Sequence, residues 1–191
     1  MAGKGKIIII SGPSGSGKTT LYKKLLESEE VTKQIVKVVT VTTRPRRRGE
    51  KEGRDYLFVS QNEFLRRKKA GYFLESQKVF DNYYGTPYKR VRDLLAKGNN
   101  VLLCIDVKGA KVVCRKFPDA IRIFITVPSF KILKQRLKAR GSEDKKTARL
   151  RLDTARREVK EAQNYDHMIV NDDLTQAHKH MKSTILSELK S

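Results

Sequence analysis

Residues 12–19 read Gly12-Pro13-Ser14-Gly15-Ser16-Gly17-Lys18-Thr19, with Thr20 next. Glycines, a lysine and a hydroxyl at this spacing suit one task, the wrapping of backbone around phosphates. Gly12, Gly15 and Gly17 let peptide N–H groups converge on an anion at a helix N-terminus. Lys18 can reach the β- and γ-phosphates, and Thr19 can offer its hydroxyl to Mg²⁺. The pattern GxxxxGK[ST] acts this way when a buried strand precedes it and a helix follows. Both flanks are right: Ile7 to Ile10 is an unbroken apolar run, and Thr19 to Leu26 has a helical pattern. The chain is expected to bind ATP or another nucleoside triphosphate with Mg²⁺. The motif alone leaves the phosphoryl acceptor open.

The elements around the loop follow a repeating scheme. Lys6–Ser11, Ile35–Thr43, Val101–Asp106, Ile121–Val127 and His167–Val170 read as strands rich in β-branched residues. Helical stretches lie between them, one begun by Ser60 with Glu63 three residues on, another by Ser129. Strand and helix in alternation imply an α/β fold with a parallel sheet flanked by helices. From about Thr43 to Lys89 the chain is turn-rich and short-stranded, which suggests an inserted lobe in a single domain.

The 191 residues carry 42 Lys+Arg against 21 Asp+Glu, a net charge of +21. So basic a chain should meet anions: nucleic acid, nucleotide phosphates, or solvent alone. Cys104 and Cys114 lie in apolar surroundings without metal-ligand spacing, which suits reduced core thiols in a cytosolic protein. His178 and His180 are two apart on a helical stretch and face different ways. The longest apolar run is far short of the roughly 20 residues of a membrane span. No signal peptide and no membrane attachment are expected, and the cytoplasm is the expected location.

Other segments carry a resemblance. Thr42-Thr43-Arg44-Pro45-Arg46-Arg47-Arg48-Gly49-Glu50 and Asp55 to Ser60 resemble guanylate kinase. So do Phe73-Leu74-Glu75, Asn82 to Thr86, Ile105-Asp106, Arg136 through Arg140-Gly141, Arg151-Leu152 and Ile169 to Leu174. They keep the family's order over nearly the whole chain. The resemblance implies ATP-dependent phosphorylation of GMP, and of dGMP, to the diphosphate with Mg²⁺, by direct in-line transfer. It implies a P-loop NTPase core (residues 1–42, 90–135 and 152–191), a GMP-binding lobe at about 43–89 and a short mobile lid at about 136–151.

The same resemblance assigns roles. Arg44 and Arg47 match the arginines that clamp the GMP phosphate, where a planar guanidinium binds two oxygens at once. Tyr56 and Tyr84 match tyrosines that donate to that phosphate. Glu75 matches the acceptor for guanine N1–H and N2–H₂, with Asp106 as a second acceptor; Thr40 and Thr86 match donors to O6. Arg136, Arg140 and Arg151 match arginines that close over the triphosphate and, with Lys18 and Arg44, neutralise the transferring group. Asn171 and Asp172 match an adenine-side loop. Residues 131–160 carry 12 Lys+Arg against 4 Asp+Glu. Without the resemblance the arginines read as a solvated charge run, the tyrosines as packing residues and Glu75 as an exposed strand residue. Ligands of open α/β sheets do bind beyond the carboxyl ends of strands, which is where Asp106 falls.

There are departures from the family's usual pattern. Ser76 stands where an aromatic is usual, Cys104 where an acid is, Lys108 in place of Gln, and Thr40 in place of Ser. An acid lost near Asp106 bears on how Mg²⁺ and its waters are organised. Three other readings compete: a related P-loop kinase with another phosphate-bearing acceptor, a non-catalytic module of this family, and a nucleic-acid-binding ATPase. The guanine-reading pair argues against the first, Lys18 against the second, and only net charge favours the third. ATP and GMP are the expected partners, the chain being a monomer or homodimer.

Overall fold

The computed structural model describes residues 5–139 and 145–190. In chain order the elements are β1 Ile7–Ser11, α1 Lys18–Leu25, α2 Glu29–Thr32, β2 Ile35–Lys37, β3 Val41–Thr42, β4 Leu57–Phe58, α3 Gln61–Lys69, β5 Phe73–Val79 and β6 Asn82–Pro87. Then come α4 Tyr88–Ala96, β7 Asn100–Cys104, α5 Val107–Lys116, β8 Ile121–Thr126, α6 Phe130–Ala139, α7 Lys145–Lys160, β9 His167–Val170 and α8 Leu174–Lys190.

Among the described residues, the larger sheet has the order β2-β7-β1-β8-β9, every pairing parallel. The isoleucine run puts β1 at its centre. Successive side chains on a strand point to opposite faces. Ile8 and Ile10 pack with Leu21 and Leu25 of α1 and with Met181 and Ile185 of α8. Ile7 and Ile9 pack with Val91, Leu94 and Leu95 of α4 and with Ala110 and Val113 of α5. A strand covered on both faces has no polar alternation, which is why it reads as one apolar run.

The second sheet has the order β4-β3-β6-β5, with β3 and β4 parallel and the other pairs antiparallel. Phe64 of α3 is fully buried against it and stacks on Phe73 with ring centroids 4.5 Å apart. The Ser60 hydroxyl accepts from the Glu63 N–H at 3.2 Å, as the sequence predicts. Glu63 does not complete the reciprocal half, because its carboxylate binds Arg66 and Arg67 instead.

One expected strand divides. Residues 35–43 read as continuous β, yet β2 belongs to the first sheet and β3 to the second. The Val38 N–H still donates to Leu102, while the Thr40 carbonyl already accepts from Leu57. The inserted sheet thus draws in Val41 and Thr42, just before the predicted lobe boundary. The chain crosses between sheets at Thr40, which puts that residue at the cleft between them.

Candidate active site

The phosphate loop lies where the sequence predicts, beyond the carboxyl end of β1 and ahead of α1. Gly12 has φ 141° and Gly17, which opens α1, has φ 87°. A Cβ on Gly12 would stand 2.1 Å from the Ile125 carbonyl oxygen, so the loop presses directly on β8. The Lys18 ammonium donates to the carbonyls of Gly12 and, at 3.0 Å, of Pro13. Asn171 donates to the Ser16 carbonyl at 2.8 Å and is buried there. Its side chain is committed to bracing the loop.

A cleft opens from this loop toward the second sheet. Gly12 to Gly15, Gly17, Lys18 and Thr19 line one side. Thr40, Tyr56, Glu75, Tyr84 and Asp106 line the rest, with Gln77, Val79, Cys104, Ile105 and Glu158. Glu75 is 5% exposed. One of its oxygens accepts from the Thr86 hydroxyl at 2.7 Å. Burial, reinforced by the nearby charge of Asp106, pushes its carboxyl up to about 7 against the pull of Thr86. Burial raises Asp106 also, while its Oδ1 caps α5 by accepting from the Gly109 N–H at 2.6 Å. A Cβ on Gly109 would lie 2.6 Å from the other oxygen of Glu75. Gly109 therefore makes the room in which the carboxylate sits.

Tyr56 and Tyr84 meet edge to face, with centroids 6.2 Å apart. Burial pushes the Tyr56 phenol up to about 12, so it keeps a proton to donate. Arg44 lies over the Tyr56 ring at 5.4 Å. Its guanidinium is bound by both oxygens of Glu50, at 2.7 and 2.9 Å, with the two side chains only 10% and 11% exposed. Arg47 is exposed and gives its backbone N–H to the same carboxylate. Neither arginine lines the cleft. The structure holds Arg44 beside Tyr56, and Arg47 on the same loop, joined to it through Glu50.

A second hollow lies on the other flank of the phosphate loop. Gly15, Gly17, Thr20, Arg136, Asn171, Asp172 and Leu174 line it. It brings together Arg136, matched to the arginines that close over the triphosphate, and the Asn171-Asp172 pair, matched to the adenine side. Ser16 is fully buried between the two openings. Arg151 lies 4.8 Å from the Phe80 ring, at the turn between β5 and β6. Arg140 lies outside the described residues.

This geometry, a phosphate cradle sharing one cleft with buried Glu75 and half-buried Asp106, has counterparts. The guanylate kinase family model matches residues 4–188. The chain belongs to the guanylate kinase family. It is 43% identical to guanylate kinase of Symbiobacterium thermophilum over 97% of this chain and 86% of that protein. It is 43% identical to that of Lactiplantibacillus plantarum, over 98% and 90%. The crystal structure of guanylate kinase from Anaplasma phagocytophilum matches with a TM-score of 0.80 at 36% identity, over 98% of this chain and 87% of that one. The chain is thus an α/β P-loop NTPase of the nucleoside monophosphate kinase type.

Several cleft residues escaped the sequence reading. Gln77 and Val79 follow Glu75 at two-residue steps along β5, so strand alternation would have found them. Glu158 had no such signal. It comes from α7, whose charge pattern reads as a solvated face. Burial raises its carboxyl above the usual range, although Lys18 acts the other way. Of the described residues, no cluster of His, Cys, Asp and Glu could hold a metal by itself, and no helix could cross a membrane.

Proposed function

We propose that the cleft and the flanking hollow together phosphorylate GMP from ATP. The carrying observation is that the phosphate loop, the buried Glu75 and the half-buried Asp106 line one cleft. Guanine offers two adjacent donors, N1–H and N2–H₂, which an ionised Glu75 can accept together, with Asp106 beside it. Thr40 supplies a donor toward O6, while the Thr86 hydroxyl, which donates to Glu75, holds that carboxylate in place. The GMP phosphate then extends toward Tyr56, Tyr84, Arg44 and Arg47. None of these contacts needs the ribose 2′-hydroxyl, so dGMP is an acceptor too.

ATP lays its β- and γ-phosphates in the loop Gly12–Thr19 and its base toward Asn171 and Asp172. A GMP phosphate oxygen attacks the γ-phosphorus in line as the bond to the β–γ bridging oxygen breaks. ADP and GDP are the products. No protein nucleophile is required; positioning and charge neutralisation are the catalysis. Lys18, Arg44, Arg136, Arg140 and Arg151 supply the positive charge. Mg²⁺ fits this site as a companion of ATP. It keeps most of its ligands from phosphate and water, and Thr19 is exposed in the cleft to supply one hydroxyl. When bound it screens the phosphate charge.

The reading includes a core of residues 1–42, 90–135 and 152–191, an acceptor lobe at about 43–89 and a lid at about 136–151. It places the protein in the cytoplasm as a monomer or homodimer, with nucleotides rather than nucleic acid as its anions. The test is ADP release with Mg²⁺–ATP and a panel of monophosphates. GMP should be the best acceptor, IMP intermediate for lack of the 2-amino group, and AMP poorer by about 10⁴ because it offers Glu75 neither of guanine's two donors. Equal use of AMP or a sugar phosphate would favour a related kinase with another acceptor.

A further inference from the structure

Asp55 stands immediately before Tyr56 in the acceptor lobe and is buried. Its Oδ2 accepts from the Lys51 N–H at 2.9 Å and from the Arg54 guanidinium, through Nε at 2.9 Å and Nη2 at 2.6 Å. The Asp55 N–H donates in return to the Lys51 carbonyl at 3.0 Å, and the Gly53 N–H donates to the Tyr56 carbonyl at 2.9 Å. The turn 51–56 is thus fixed within itself. The other oxygen, Oδ1, pairs outside the turn, with the Lys23 ammonium at 3.0 Å. Burial works against the charge, but the Lys51 N–H, Arg54 and Lys23 together hold the carboxyl well below the usual carboxylate range.

Lys23 belongs to α1, the helix whose first turn carries Lys18 and Thr19. Thr19 and Lys23 are four apart and share a face of it. A second core lysine, Lys37 of β2, donates to the Arg54 carbonyl, and its ammonium lies 5.2 Å from the Tyr22 ring of α1. Two lysines of the core therefore grip successive residues of the acceptor lobe, one through a carboxylate and one through a carbonyl. Thr19, Lys23, Lys37, Asp55 and Tyr56 line one small hollow beside the cleft, together with Thr40, where the chain crosses between the sheets. The ties lie at the root of the lobe. An ion pair whose cation is 48% exposed contributes little to stability. What the Lys23–Asp55 contact supplies is a distance, between the helix that begins at the phosphate loop and the residue next to Tyr56.

We propose that Lys23 and Asp55 are a pair of positioning residues for phosphoryl transfer. In-line attack needs the acceptor phosphate held at a set distance from the γ-phosphorus. Two separate elements hold the two ends, α1 with the phosphate loop for ATP and Tyr56 for GMP. The Lys23–Asp55 contact is a direct strut between those elements. Neither residue touches a nucleotide; each acts through Tyr56. The inference rests on the proposed function, which gives Tyr56 its phosphate. A misplacement of about an ångström between reacting groups costs roughly 10²-fold in rate. Loss of the strut therefore acts on turnover and on GMP, while the ATP site, built within the core, stays as it is.

The test measures kcat, KM for GMP and direct ATP binding in the wild type, Lys23→Met, Lys23→Arg, Asp55→Asn and the double variant Lys23→Met/Asp55→Asn. Methionine keeps an unbranched stem and removes the ammonium; arginine restores a cation. Lys23→Met should lower kcat/KM for GMP by about ten- to a hundredfold while ATP affinity stays within about twofold of the wild type, a split that a purely structural role would not produce. Lys23→Arg should recover most of the loss. The double variant should be no worse than Asp55→Asn alone, since the two residues act through one contact. Thermal unfolding establishes that each variant is folded. Lys23→Met leaves the Lys51 and Arg54 contacts of Asp55 in place, so it decides the matter even where Asp55→Asn does not fold. Wild-type kcat/KM for GMP in folded Lys23→Met, no recovery in Lys23→Arg, or a double variant whose losses add, overturns the inference alone. A wild type that does not phosphorylate GMP overturns the proposed function and the inference together.

Discussion

On the proposed function, Glu75 carries both specificity and a cost. Its carboxyl is buried, shares the cleft with Asp106, and titrates at about 7 rather than 4.5. Between those values the folded protein keeps a proton that the unfolded chain has released. Stability therefore falls as pH rises through that window, and the substitution Glu75→Gln should reduce the fall, leaving the smaller part from Asp106 and Glu158. Denaturant midpoints across the window check this. The same shift couples to substrate. On the proposed reading guanine's two donors are accepted together by the ionised form, so at about pH 6 GMP binding should expel a proton from Glu75. Calorimetry in buffers of different ionisation enthalpy should show that release in the wild type and lose it in Glu75→Gln. A release identical in both would remove Glu75 from guanine recognition. Gly109 is the partner that sequence reasoning passes over. Its missing side chain is the space that one Glu75 oxygen fills, so Gly109→Ala must push the carboxylate aside. GMP use should drop about 10²-fold, as it does when a reacting geometry shifts by an ångström or so, with ATP affinity nearly intact.

Among the elements, the central strand and its loop were legible and the junctions were not. Four isoleucines before GxxxxGK[ST] can only be a doubly covered strand feeding a phosphate loop, and β1 is that strand. Residues 35–43 show the limit. Both halves are β-branched, and the hydrophobic pattern of a strand is the same in either sheet, so nothing local marks the step from β2 to β3. The step is a tertiary event, decided when Leu102 and Leu57 claim successive backbone groups. Arg44 is similar. Its spacing in an arginine run shows neither the Glu50 fork nor the Tyr56 ring beneath it. Glu158 was hidden for the same reason, since only the crossing of α7 over the loop turns a charged helix residue inward. The loop–strand contact itself carries a prediction. Gly12 meets backbone, not a movable side chain, and its φ disfavours any Cβ. Gly12→Ala should destabilise the protein by about 2–4 kcal/mol, or distort the loop until ATP no longer binds. Wild-type stability together with wild-type ATP affinity would contradict the close packing of the loop on β8.

For the molecule as a whole, the arginines assigned to one reaction stand in three different places. Arg44 is held by Glu50 beside the second sheet, Arg136 lines the hollow on the far flank of the phosphate loop, and Arg151 lies on the hairpin turn. Charge neutralisation of a single γ-phosphoryl group requires them to converge within a few ångströms of it. We predict rigid-body closure of the acceptor lobe toward the core, which would bring them together and exclude the water that would otherwise receive the phosphoryl group. The net charge of +21 sharpens the argument. Mutual repulsion among basic side chains favours the open form, and the phosphates of two nucleotides offset it only when both are present. Small-angle scattering should therefore show a smaller radius of gyration with GMP and a non-hydrolysable ATP analogue together than with either alone. The contraction should weaken as salt screens the charges. Identical scattering profiles in the free, singly bound and doubly bound states would rule closure out, and the three arginine groups would then have to be reassigned to separate tasks.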